Sequence, residues 1–307
     1  MEYKLKISSA PHIKGQTATR NIMLYVIIAL LPATVTGAAI FGKRALLVII
    51  AAIGSAIAAE SLFNIVLKKE NTVGDLSAVV TGLLLGLNLP VNVPVWQVVI
   101  GSVFAIIAVK CLFGGIGKNI VNPAITARVF MLIAFTNTVG AVDAVSGATP
   151  LAELKNGSLP QLSNLFFGNI GGAIGEVCKP ALIIGGLFLV LKGVITWHIP
   201  VFYIGGTYIF SLLFGGFDFY KSLLFILSGG LIIGAIFMAT DYVTSPVTVK
   251  GKIIFGIGAA FLTVIIRLYS NYPEGVSFAI LLMNILTPYI DKFTVKKLFG
   301  EQRKKSH

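Results

Sequence analysis

Apolar runs of about twenty residues, separated by short polar stretches marked with proline, glycine or asparagine, repeat along nearly the whole chain. Asn21 to Phe41 and Ala45 to Leu67 are the clearest, and each is long enough to cross roughly 30 Å of hydrocarbon as a helix. The same reading places ten candidate spans at Ile22 to Phe41, Ala45 to Leu67, Asp75 to Leu89, Val95 to Phe113, Ile120 to Phe135, Pro180 to Thr196, Pro200 to Phe214, Leu223 to Met238, Ile253 to Leu268 and Val276 to Ile290. Three of them are short or flanked by helix punctuation: "GLNLPVNVP" follows the third, "NIVNPA" opens the fifth and "TDYVTSPVTVKGK" follows the eighth. These predict broken or re-entrant helices, which exist at membrane depth only where protein or a watery cavity satisfies the freed backbone groups. The competing reading is ordinary interfacial loops.

A short echo links the two ends of the chain. Gly82-Leu-Leu-Leu-Gly86 in the third span matches Gly230-Leu-Ile-Ile-Gly234 in the eighth, five spans later. Two halves of five helices each would point in opposite directions, an arrangement that gathers sites near the midplane. Glycines four apart also serve simply to let helices approach closely. The fold class expected is an all-α integral membrane protein of about ten transmembrane helices in two inverted five-helix repeats.

Composition strengthens this picture. Hydrophobic residues make up 56% of the 307, charged residues 12%, and the mean hydropathy is +0.91. A soluble core of that size would need far more polar surface than the chain holds. No cleavable signal is expected, because a polar stretch of about twenty residues precedes the first apolar run and another run follows at once.

Charge sets the orientation. With ten spans both termini share one side, which collects seventeen lysines and arginines against six on the other, with Arg128 left inside the fifth span. By the positive-inside rule both termini are cytoplasmic. The net charge of +12 then reflects topology and anionic lipid, and nucleic acid need not be invoked. The expected organisation is a cytoplasmic segment 1–20, a first membrane half 21–135, an extracytoplasmic loop 136–179, a second half 180–290 and a basic cytoplasmic tail 291–307.

The candidate chemistry is sparse. Cys111 and Cys178 stand alone, so neither a zinc site nor an iron–sulfur cluster can be built from this chain by itself, and both read as packing residues. Nucleotide-binding loops are absent from the sequence. Any redox chemistry would have to be brought by a cofactor. The longest non-apolar stretch contains "DAVSGATPL", Asp143 to Leu151, where the Thr149 hydroxyl sits in a Gly-Ala-Thr-Pro turn with Ser146 and Asp143 nearby. Read from physics alone, this is also ordinary loop grammar, with Asp143 free to cap a helix. Arg128 is costly inside an apolar span unless paired, and three roles stand: neutralising a bound anion, pairing with Glu60, or snorkelling. Glu60, Asp75 and Asp241 are candidates for a coupling cation at the helix breaks, against local hydrogen bonding or capping.

The pattern Asp-x-x-Ser-Gly-Ala-Thr-Pro-Leu resembles the flavinylation motif of respiratory electron-transport complexes. "SSAPHIK" (Ser8 to Lys14), "GGIGKNIVNPA" (Gly114 to Ala124) and "GVSFAILLMNILTPYID" (Gly275 to Asp291) are similar, in order and spacing, to the family that holds the D subunit of the Rnf complex and, more distantly, the B subunit of the sodium-translocating NADH:quinone reductase. The short amino-terminal segment is nearer the Rnf member. The resemblance implies FMN joined through its phosphate to the Thr149 hydroxyl by a dedicated flavin transferase, with Asp143, Ser146, Gly147 and Ala148 serving recognition and loop shape. With a flavin implied, Arg128 becomes a candidate to neutralise the reduced ring or its phosphodiester, beside the structural roles given above, and the reductase relative implies a second, non-covalent riboflavin between helices at unassigned residues. It further implies a subunit of a redox-driven Na⁺ or H⁺ pump in the inner or plasma membrane, with electrons relayed between ferredoxin and NAD. The partners implied are other subunits of that complex, among them a second flavinylated subunit and membrane iron–sulfur subunits. Readings from other classes are the quinone-reductase subunit itself, a small-solute channel or secondary transporter of inverted-repeat fold, and a purely structural membrane anchor.

Overall fold

The protein was analysed as a computed structural model, which describes residues 19–69, 72–139, 150–155, 159–168, 171–216, 218–270 and 275–295. Every predicted span coincides with helix. The first half holds α1 (Thr19–Phe41), α2 (Lys43–Val66), α3 (Ser77–Leu87), α4 (Val95–Cys111, whose last seven residues wind as a π-helix) and α5 (Pro123–Ala134). Short helices α6 (Thr136–Val139), α7 (Pro150–Lys155) and α8 (Leu162–Phe167) lie between the halves. The second half holds α9 (Lys179–Leu191), α10 (His198–Gly215), α11 (Phe219–Leu227), α12 (Leu231–Met238), α13 (Val249–Tyr269) and α14 (Gly275–Thr294).

Among the described residues five helices are long and apolar enough to cross a membrane, and six if α11 and α12, bent by 68° at their break, count as one span. The remaining predicted spans are shorter. At 1.5 Å per residue, the 11 residues of α3 and 12 of α5 reach only about 16–18 Å. Each is therefore too short to cross about 30 Å of hydrocarbon as a single straight helix. The chain is a multi-pass membrane protein.

Contacts between elements repeat across the halves. α2 packs on α4 as α10 packs on α13, while α1 meets α9 and α5 meets α14. First elements of the halves thus pair with each other, and so do last elements. The α1–α9 seam is tight because Gly185 lets the helices touch: a Cβ there would lie 2.1 Å from the Ala29 carbonyl oxygen. The echoed glycines serve different ends. Gly82 lies against the α2 backbone, where a Cβ would sit 2.7 Å from Ala52 O. Gly230 instead makes room for a carboxylate, with Glu176 Oε1 2.6 Å from the Cβ position.

Each helix break is satisfied by protein. Gly175 N and Ile174 N donate to Leu87 O (2.7 Å) and Leu89 O (3.1 Å), so residues 173–177, all buried, fill the space below the end of α3. The tail of the predicted 136–179 loop is therefore part of the bundle interior. At the start of α5, the Asn122 side chain accepts from Ala124 N and Ile125 N. At the α11–α12 break, Arg267 donates through Nη1 to Phe225 O (2.9 Å) and through Nη2 to Ser228 O (3.0 Å).

Candidate functional site

Three polar centres interrupt the apolar interior. The first joins the ends of the short helices. Asn122 Nδ2 donates to Met238 O at 3.3 Å, and Asn88 Nδ2 donates to Leu84 O at 2.7 Å and approaches Met238 Sδ at 3.4 Å. With its amide assigned by its hydrogen bonds, Asn284 donates to Thr244 O (3.2 Å) and accepts from Asn122 N (3.1 Å). This asparagine cluster, legible beforehand only as helix punctuation, ties both halves together.

The second centre is a buried charge group. Arg128, 2% exposed, places Nη2 3.6 Å from Glu176 Oε1, and the Lys179 ammonium donates to the Glu176 carbonyl oxygen. Glu60 is not the partner of Arg128, contrary to one sequence reading, because Glu60 lies in a different network, paired with Lys110. Glu176 and Lys179 escaped the sequence reading because they fall in a stretch that looks like an external loop. Removing one member of a buried pair leaves uncompensated charge. Arg128→Leu is expected to cost about 3 kcal/mol or more, and Arg128→Leu combined with Glu176→Leu to recover most of that loss. Thermal unfolding of the solubilised complex checks both.

The third centre is a cleft. It is lined by the start of α1 (Ile22, Met23), the start of α3 (Ser77), the end of α4 (Lys110), Asn119 and Asn122 before α5, the end of α9 (Leu189) and Asp241 and Tyr242 after α12. These are the helix ends that alternating spans assign to one face of the bundle. In its wall, Lys110 Nζ donates to Glu60 Oε2 at 2.7 Å and to Ser77 Oγ at 2.5 Å. Ser77 donates in turn to Asp75 Oδ1, and Thr72 Oγ1 donates to Glu60 Oε1 at 2.5 Å. Glu60 and Asp75 thus belong to one network, in which the Lys110 ammonium is the ion-pair partner of Glu60. Asp241 lies on the same cleft, where its carboxylate accepts from Val243 N (3.2 Å) and Thr244 Oγ1 (3.2 Å), the local turn geometry of an aspartate after a helix end. Among the described residues no group of three His, Cys, Asp or Glu side chains could hold a metal ion.

Asp143, Ser146, Gly147, Ala148 and Thr149 lie outside the described residues. The chain that follows them is anchored: Leu151 of α7 is 5% exposed and packs against Gly229 at the α11–α12 break, where a Cβ would meet Leu151 Cδ1 at 2.9 Å and Arg267 Nη2 at 3.2 Å.

Comparison with known proteins gives a consistent picture. The family model described as "NQR2, RnfD, RnfE family" matches residues 6–300. The chain is 48% identical, over 97% of its length and 96% of the relative's, to the D subunit of the Na(+)-translocating ferredoxin:NAD(+) oxidoreductase complex of Acetobacterium woodii. It is 43% identical, over 97% and 96%, to the D subunit of the proton-translocating ferredoxin:NAD(+) oxidoreductase complex of Clostridium ljungdahlii. It is 35% identical, over 97% and 99%, to the D subunit of the ion-translocating oxidoreductase complex of Pectobacterium atrosepticum.

Proposed function

The chain belongs to the NQR2, RnfD, RnfE family, and from that premise we propose that it is the D-type membrane subunit of an ion-translocating ferredoxin:NAD oxidoreductase complex, in which it relays electrons through FMN esterified to Thr149. The observation that carries this reading is the motif Asp143 to Leu151 within a chain whose whole length aligns with such subunits. Bound FMN supplies a carrier that takes up and gives out electrons singly or in pairs.

The protein's own residues then have defined tasks. The Thr149 hydroxyl oxygen is the attachment point. Asp143, Ser146, Gly147 and Ala148 form the recognition surface for a flavin transferase, and Pro150 and Leu151 anchor the loop on the α11–α12 break. Covalent attachment keeps the group at high local concentration beside water, where a freely bound one would be lost. Both termini are cytoplasmic in this reading and Thr149 faces outward. Lys110, Lys179 and Arg267, each counted among the loop charges, are buried in the bundle at 2%, 1% and 1% exposure; setting them aside leaves the charge bias in the same direction.

This reading assigns a non-covalent flavin to the cleft. Asn119 Oδ1 there is a buried acceptor with no hydrogen-bond partner among the described residues, in a cleft that Asn122 and Tyr242 also line. An amide acceptor beside apolar walls fits a planar ring that carries N–H groups. Arg128, held by Glu176, is assigned to the structural support of the outer half. Partners in this reading are the remaining subunits of the complex, including a second flavinylated subunit and iron–sulfur subunits, and the pumped ion is Na⁺ or H⁺. Mass spectrometry of the peptide spanning Thr149, from complex purified out of the native membrane, is expected to show an added FMN phosphoester; an unmodified peptide from an active complex refutes the assignment.

A further inference from the structure

The Glu60–Lys110 pair has a geometry that a purely structural ion pair does not require. Both side chains are buried, at 1% and 2% exposure, yet the pair is connected at both ends. On one side Glu60 Oε1 accepts from Thr72 Oγ1 at 2.5 Å, and Thr72 is exposed. Asn64 Nδ2 donates to the same Thr72 oxygen at 3.1 Å, which turns the hydroxyl hydrogen toward Glu60. On the other side Lys110 lines the cleft. Its ammonium has three N–H donors, of which Glu60 Oε2 and Ser77 Oγ take two, leaving the third for the cleft. Ser77 donates its own hydrogen to Asp75 Oδ1, so its lone pairs are held toward Lys110 and fix the ammonium in place.

Lys110 occupies this position because the last seven residues of α4 wind as a π-helix, a local widening found most often at functional sites. The other charged or titratable groups around the pair are Lys69 just after α2, Cys111 beside Lys110, Asp75 before α3 and, across the cleft, Asp241 and Tyr242. Buried ionisable chains at membrane depth are the usual material of proton relays, and a pair with no such duty could be replaced by apolar side chains at little cost.

We propose that Glu60 and Lys110 pass protons between the surface at Thr72 and the cleft. The step conserves charge and moves no electrons. Lys110 Nζ gives one proton to a basic nitrogen or oxygen of the group in the cleft, breaking one N–H bond. The amine left behind takes the proton of the Glu60 carboxyl, which has been protonated through the Thr72 hydroxyl, and that hydroxyl regains its hydrogen from surface water, leaving one hydroxide in the bulk. This inference rests on the reading above only in that a redox group in the cleft needs protons when it is reduced.

The decisive variants separate charge from proton release. Lys110→Arg keeps a cation opposite Glu60 but cannot release its proton near neutrality. Proton uptake is followed with a pH-indicating dye as the assembled complex is chemically reduced, with flavin content measured in parallel. Uptake should slow by at least about tenfold in both Lys110→Arg and Glu60→Gln while flavin content stays at the wild-type level, since positioned proton donors contribute on the order of a hundredfold. Wild-type uptake in Lys110→Arg would overturn the relay and leave an ion pair that only holds helices together. A complex purified without flavin refutes the functional reading instead. Infrared spectra after a pH step then decide the relay alone: a responsive carboxyl band, absent in Glu60→Gln and silent in Lys110→Arg, supports it, and no Glu60 response overturns it.

Discussion

Thr149→Ala is expected to abolish in-gel flavin fluorescence of this subunit completely, because a methyl group offers no oxygen for the phosphoester. The effect is all-or-none, unlike a change in affinity. Thr149→Ser keeps a hydroxyl at the same position and is expected to retain part of the signal. The variant chain should still reach the membrane and assemble, since the substitution leaves the described helices unchanged. Fluorescence on a denaturing gel, normalised to the amount of subunit, reads this directly, and a fluorescent Thr149→Ala band refutes the assignment.

The second large effect concerns stability. Gly185→Val should destroy the α1–α9 seam. A Cβ at position 185 would lie 2.1 Å from Ala29 O, 3.0 Å from Ala29 C and 3.1 Å from Phe237 Cζ. The obstacle is mainly backbone, so no rotamer change relieves it, and the cost should exceed the roughly 1–3 kcal/mol typical of an overfilled core. Gly54→Ala is the matched control. Gly54 lies on the outward face of α2 with nothing within 4 Å of its Cβ position, and removing a helical glycine there should be neutral or favourable by up to about 1 kcal/mol. Size-exclusion profiles and thermal melting of the complex distinguish them: Gly185→Val should lower the yield of assembled protein sharply, and Gly54→Ala should not. Equal behaviour of the two would show that the seam does not depend on close backbone contact.

How far the sequence could be read depended on which physics was involved. Helix positions follow from apolar run length, so all ten segments coincide with helices. Proline and asparagine at 88–90 and 122–123 correctly marked where α3 stops and α5 starts. Partnership was not readable in the same way. Glu60 and Lys110 are 50 positions apart, and nothing in hydropathy says that α2 lies beside α4. Arg128 stood out as a charge in an apolar run, but its partner Glu176 sits in a polar stretch that looks external until Ile174 and Gly175 are seen bonded to the end of α3. Lys110, Lys179 and Arg267 were counted as loop charges because snorkelling and burial leave the same mark in a linear sequence.

The π-helical turn at the end of α4 makes spacing matter more than residue type. A π-helical segment winds one extra residue into the arc an α-helix would span, so deleting one residue between Ala105 and Lys110 would restore ordinary winding and leave the chain beyond it near its present orientation. The local widening that sets Lys110 against Glu60 would be lost although every side chain involved was still encoded. A single-residue deletion within this turn is therefore expected to weaken the Glu60–Lys110 pair while leaving the helix and the glycine-rich linker after it, Gly114 to Gly117, in place.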